Sequence, residues 1–195
     1  SIALAGPANK QGRIVADQIC GIDSRYQGSQ GSNVIKLFEK TLASTGITER
    51  FAKSQGIDCE KVHLYLSNHA SYYPGAEFMA IKIIFEKGTG RILGGQFFGG
   101  TGTEKRCDVL AVAIRAGMKA TDLVNLDLCY APPYSSAKDP VVMAGMAIEN
   151  ILTNKVKVTH WNELNKLDKN KVTFLDVRTK GEYADGHVEG FINIP

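Results

Sequence analysis

With 195 residues, 44% of them hydrophobic and 22% charged, the chain is long enough to bury a core and too apolar to be disordered. A formal net charge of +3, with Lys and Arg scattered rather than striped between aromatics, excludes a nucleic-acid partner but leaves room for a small anionic ligand. No apolar run approaches the ~20 residues of a membrane helix, and Cys20, Cys59, Cys107 and Cys129 show neither CxxC pairing nor zinc spacing. The expectation is a cytoplasmic protein with reduced, buried thiols, no metal and no membrane partner.

In chain order, Pro7 precedes a helix-like segment over 9–20, which Gly21 stops. Gly12 inside that segment costs about 1 kcal/mol against alanine, which predicts that another backbone or a ligand comes close. "NVIKLFE", from Asn33, reads as a strand, and "TERFAKSQG" as a short helix with Thr48 as cap and Gly56 as stop. "KVHLYLS" alternates in the manner of a strand, and "FMAIKIIFEKGTGRILGGQFFGG" reads as two strands around a turn at 87–90, hence an antiparallel meander. A helix follows over about 104–116.

"YAPPYSSAKDP", residues 130–140, is too rich in proline for a helix or a central strand. It ends on Asp139 and Pro140, an N-cap and first helical residue for the apolar run 141–152. That run is apolar nearly all round, which predicts burial against a sheet or a second subunit and a two-fold dimer over 33–152. Residues 153–158 turn polar and read as a linker. Beyond them, 159–195 alternates helix, a buried strand over 172–177, a helical turn near Glu182 and the start of another strand, the pattern of a small α/β unit. The expected fold class is therefore α/β, α+β in detail.

Several signals have plain structural readings. "GGQFFGGTGTEK" lacks the order of a phosphate-binding glycine loop and reads as a strand-to-helix turn capped by Thr103. Asp176 and Arg178 of "LDVR" read as a structural ion pair, and His69 and His187, without partners at metal spacing, as hydrogen-bonding residues. The tyrosines differ. A phenol can donate a proton or hydrogen bond to a developing thiolate, and Tyr130 on the proline loop, with Lys138 eight residues on, has a counterpart in Tyr72 and Tyr73 of "NHASYYPG".

"LAGPANKQGRIVADQICG", "NHASYYPG" and "YAPPYSSAKDPVVMAGMAIEN" together resemble the carboxy-terminal third of flavin-dependent pyridine nucleotide-disulfide oxidoreductases. The similar branch is that of coenzyme A-disulfide reductase, NADH oxidase and NADH-dependent persulfide reductase. "FLDVRTKGEYADGHVEGFINIP" resembles the first half of a rhodanese domain. The resemblance implies four parts: the edge of an FAD-binding domain over 1–32, a dimerisation domain over 33–152, the linker 153–158, and half a rhodanese-like domain over 159–195.

The resemblance also implies FAD as cofactor, NAD(P)H as reductant and coenzyme A as substrate or ligand, in a homodimer that reduces a small thiol's disulfide, persulfide or polysulfide. By residue matching, Tyr130 lies beside the flavin and Tyr72 faces it across the substrate sulfur, both serving the partner subunit as catalytic residues. Ala5 meets the flavin edge by backbone, and Asn9, Lys10, Arg13 and Lys138 contact coenzyme A. Neither of the family's sulfur nucleophiles matches a cysteine of this sequence; both would lie beyond its ends, so a piece of a longer protein is expected. An NADH oxidase and a non-catalytic dimerisation or interaction module are the rival readings.

Overall fold

The computed structural model describes residues 4–168 and 170–195. Residues 1–3, within the expected flavin-domain edge, and residue 169, within the expected rhodanese half, lie outside the described residues. The chain forms two units, Ser1–Val156 and Lys157–Pro195.

The first unit opens with α1 (Ala5–Ile19) and continues through β1 (Asn33–Leu37), β2 (Lys40–Gly46), α2 (Glu49–Ser54), β3 (Cys59–Ser67), β4 (Phe78–Glu86) and β5 (Ile92–Gly99) to α3 (Thr103–Arg115), α4 (Ala120–Val124) and α5 (Pro140–Leu152). The strands make one antiparallel five-stranded sheet in the order β1-β2-β5-β4-β3. Thus β3, β4 and β5 are the expected meander, and the earlier hairpin β1–β2 adds to its free edge.

Helix α1 starts at Ala5 rather than near residue 9. Pro7 falls in its first turn, where backbone N–H groups have no intrahelical acceptor and proline costs little. A Cβ at Gly12 would meet nothing within 4 Å, so nothing among the described residues accounts for that glycine. The hairpin β1–β2 was unsigned because its turn lacks Asn-Gly or Asp-Gly; Phe38 itself takes the left-handed φ of 51°. At the start of α3 the N-cap is Gly102, with φ 83°, and not Thr103, whose hydroxyl donates to the Gly100 carbonyl at 2.8 Å.

One face of the sheet carries the core. Val62, Met79, Ile81, Ile83, Phe85 and Phe97 pack against Cys107, Leu110 and Ala113 of α3 and Val141, Ala144 and Ile148 of α5. Gly95 of β5 has a structural task here, since a Cβ would collide with the Leu110 side chain. Helix α5 buries Pro140, Val141, Ala144, Gly145 and Ile148 within its own chain, and Met146 is its one clearly exposed apolar residue. Burial against the sheet therefore satisfies most of the apolar character from which the dimer was expected.

The other sheet face is open. Ile35, Leu42, Phe98, Ala80 and Tyr65 stand opposite one another in register, one from each strand, and all but Ala80 are exposed. Near this face Glu49, the first residue of α2, bonds to Lys53 at 2.6 Å, Lys61 at 2.6 Å and Lys82 at 2.7 Å. Burial works against ionisation of Glu49, but these hydrogen bonds and the Lys82 charge outweigh it and hold the carboxyl well below its ordinary range. A depressed carboxylate contributes stability above its unfolded pKa of about 4.3, and the contribution is lost as pH falls below it. Glu49→Gln is expected to destabilise the fold by about 2 kcal/mol at pH 7, with the gap from wild type closing between about pH 5 and pH 2. Urea titration across that range checks it; a pH-independent gap contradicts it.

The second unit has a 3₁₀ turn (Trp161–Lys166), β6 (Leu175–Asp176), α6 (Lys180–Asp185) and β7 (Ile192–Asn193), with β6 and β7 parallel. Expected as a buried strand over 172–177, this stretch pairs only at Leu175 and Asp176, and Val172, Leu175 and Val177 are exposed. Each strand has one neighbour and little among the described residues to cover it. Thr179 and Glu182 form a reciprocal cap for α6.

Candidate functional site

The two tyrosine segments are irregular for the reasons their sequences give. Pro74 follows Tyr73 between β3 and β4, while Pro132 and Pro133 hold the chain between α4 and α5. Tyr72 and Tyr130 are 77% and 52% exposed on this pair of loops. The Tyr130 phenol interacts with the Tyr72 oxygen as a hydrogen-bond donor, and this, with some desolvation, raises its pKa above the ordinary value. The Tyr130 phenol therefore keeps its proton at neutral pH.

The loops rest on a buried polar network. Arg106 of α3, with its side chain 1% exposed, donates through Nη2 to the Asn68 carbonyl at 2.8 Å and Ser135 Oγ at 3.0 Å, and lies 3.2 Å from Asp139 Oδ2. Its Nη1 donates to the Gly102 carbonyl at 3.2 Å. Ser135 Oγ donates to Asp139 Oδ2 at 3.0 Å, and Asp139 Oδ1 accepts from Val141 N at 2.9 Å, which caps α5 as expected. Ala70 N donates to the Ser135 carbonyl at 3.0 Å and joins the two loops directly. The Asn68 side chain ties the first loop to Glu77 N at 2.9 Å and the Thr101 carbonyl at 3.2 Å. His69 donates from Nδ1 to the Ala70 carbonyl at 3.1 Å and meets Tyr73 edge-on.

The structure thus brings Tyr72 and Tyr130 together, with an exposed Lys138 later on the second loop. Ala5, Asn9, Lys10 and Arg13 lie exposed on α1, which buries none of its residues. Sequence reasoning missed Arg106, Asn68 and Ser135. The signal for Arg106 was its place among Thr103, Cys107, Leu110 and Ala113, the buried stripe of α3, where a charge requires partners.

The cysteines correct one expectation: only Cys107 is buried, Cys59 is half-buried, and Cys20 and Cys129 are exposed. Burial, with the nearby Asp108 charge, pushes the Cys107 thiol up to about 11, so it is not a nucleophile at neutral pH. Among the described residues, no group of three His, Cys, Asp or Glu could hold a metal ion, and no helix is long and apolar enough to cross a membrane.

In the second unit, Arg178 grips Asp176 with Nη2 at 2.7 Å and Nε at 3.0 Å, and Nη2 also donates to the Gly186 carbonyl at 2.8 Å. Hydrogen bonds from Arg178 lower the Asp176 pKa. His187 stacks on Tyr183 at 3.8 Å and bonds the Tyr183 carbonyl at 3.0 Å.

Residues 33–141, which span the whole sheet and both tyrosine loops, match the family model of the pyridine nucleotide-disulphide oxidoreductase dimerisation domain. The chain belongs to this family. Residues 162–195 match the rhodanese-like domain. A coenzyme A disulfide reductase of Staphylococcus epidermidis is 34% identical over 145 residues, 74% of this chain and 33% of that protein. Among solved structures, reduced Bacillus anthracis CoADR-RHD matches all of this chain and 35% of its own length at 47% identity, with a TM-score of 0.94. An NAD-dependent persulfide reductase from A. fulgidus matches 96% of this chain and 34% of its own at 38% identity, with a TM-score of 0.85. The chain therefore spans about a third of the length of the relatives it matches.

Proposed function

We propose that this chain is the dimer-forming part of a flavin- and NAD(P)H-dependent oxidoreductase that reduces coenzyme A disulfide, a persulfide or a polysulfide, with Tyr72 and Tyr130 serving the partner subunit's sulfur centre. The two exposed phenols, carried on stiff loops that are hydrogen-bonded to each other in a chain of this family, support the reading. Residues 1–32 are the edge of the flavin domain, 33–152 the dimerisation domain, 153–158 the linker and 159–195 part of a rhodanese-like domain. The similarity to a coenzyme A disulfide reductase and a persulfide reductase supports the substrate class.

The residues present fit one edge of a flavin site: the first turn of α1 has no capping side chain and no acidic residue, and space is open around Gly6. Ala5 would present backbone there and Tyr130 would stand beside the ring. When bound, the flavin supplies the two electrons that cleave an S–S bond. The chain's own contribution is to the departing sulfur. A phenol held above its usual pKa of about 10 stays protonated beside a thiol near 8.5. Tyr72 and Tyr130 therefore stabilise the thiolate by donated hydrogen bonds in place of full proton transfer. Lys138, with Asn9, Lys10 and Arg13, offers cationic and amide groups to a phosphate-bearing tail.

Assay of the full-length protein with NADH and NADPH against coenzyme A disulfide, coenzyme A persulfide and dioxygen tests the reading. Sulfur substrates are expected to be reduced faster than dioxygen; turnover confined to dioxygen contradicts it and favours an NADH oxidase. The open sheet face, with Ile35, Leu42, Phe98 and Tyr65 exposed, supports association. Light scattering at micromolar concentration is expected to give a two-chain mass, and a strictly monomeric mass counts against the dimer.

A further inference from the structure

We propose that Arg106 is a positioning residue that locks the Tyr72 loop and the Tyr130 loop into one donor unit. The inference rests on the function proposed above and goes beyond it. Arg106 projects from α3 and carries neither tyrosine, yet a single nitrogen, Nη2, reaches the Asn68 carbonyl, where the first loop begins, and Ser135 and Asp139, which close the second. Lysine, a point donor on a flexible stem, could neutralise Asp139 but lacks the planar fork that serves Gly102 and the two loops together.

Stability alone is a weak reason for this arrangement, because a buried ion pair can often be replaced by apolar residues of similar volume without loss. Arg106 also leaves Nε without a hydrogen-bond partner in the buried site, an unmet donor that a residue chosen for packing would avoid. What the guanidinium contributes is the relative placement of the loops, on which the contact between the two phenols depends. Reacting groups displaced by about 1 Å lose on the order of 10²-fold in rate.

The test uses the full-length protein with ¹³C-labelled tyrosine, so that the Tyr130 phenol titrates by NMR independently of turnover. Arg106→Lys keeps a cation against Asp139, and Ser135→Ala removes the hydroxyl between Arg106 and Asp139 without a large cavity. In both variants the Tyr130 pKa is expected to fall towards the value seen in Tyr72→Phe. Arg106→Lys is also expected to lower kcat for S–S reduction by about 10²-fold, with KM and flavin reduction by NAD(P)H unchanged. If Arg106→Lys does not fold, the Ser135→Ala titration decides alone. A wild-type Tyr130 titration in the folded variants overturns the clamp whatever the rate does. A shifted phenol with an unchanged rate keeps the clamp and overturns the tyrosines' role in the reaction, so the two failures are distinguishable.

Discussion

Replacing Tyr130 by phenylalanine in the full-length protein is expected to slow reduction of a disulfide or persulfide by about 10²–10⁴-fold, the usual effect of losing a placed proton donor. Flavin reduction by NAD(P)H should proceed at nearly the wild-type rate, because the phenol acts on the sulfur side of the reaction. Tyr72→Phe is expected to act in the same direction. The double variant should lose less than the product of the two single effects, since the two phenols interact and neighbouring groups do not act additively. A phenol that merely packed would give another result: Tyr130 is half-exposed, and loss of its hydroxyl would cost roughly 1 kcal/mol of stability and little rate. Stopped-flow measurement of the two half-reactions separates these outcomes, and a single variant with both half-reactions intact contradicts the assignment.

The second large effect is on stability. Asp139→Ala is expected to destabilise the first unit by about 3–5 kcal/mol, because it leaves the Arg106 charge buried without its carboxylate. About 1 kcal/mol of this is the lost N-cap of α5, which Asp139 provides through Val141 N. Asp139→Asn preserves a capping oxygen and the approximate shape, so it should lose less. Urea unfolding of both variants, followed by circular dichroism, gives the comparison. Equal and small losses would mean that the network beneath the tyrosine loops contributes little to the fold.

Local signals were readable where one residue type has one physical reason. Thr48 caps α2, Asp139 caps α5 with Pro140 behind it, and the alternation in β3 and β4 faces the core as its period requires. Strand β1 was read from "NVIKLFE", but the turn into β2 was illegible because Phe38 occupies a conformation that sequence rules reserve for glycine or asparagine. Helix α4, five residues long, is too short for a helical period to show. In the site, the tyrosines were visible as donors on stiff loops. Arg106 was hidden because its partners are two backbone carbonyls and two short side chains, drawn from residues 68 to 139 of the chain. The buried stripe of α3 could signal that Arg106 needs partners, but which residues converge on it is a property of packing.

The most direct measurement is made on mixed dimers of the full-length protein, in which one subunit lacks the family's redox cysteine and the other lacks both Tyr72 and Tyr130. If the tyrosines serve the partner's sulfur centre, the remaining cysteine faces an intact pair of phenols across the interface, and these dimers should retain about half of the wild-type activity. Activity at the level of the double-tyrosine variant would show that each tyrosine pair serves its own subunit, and would contradict the account.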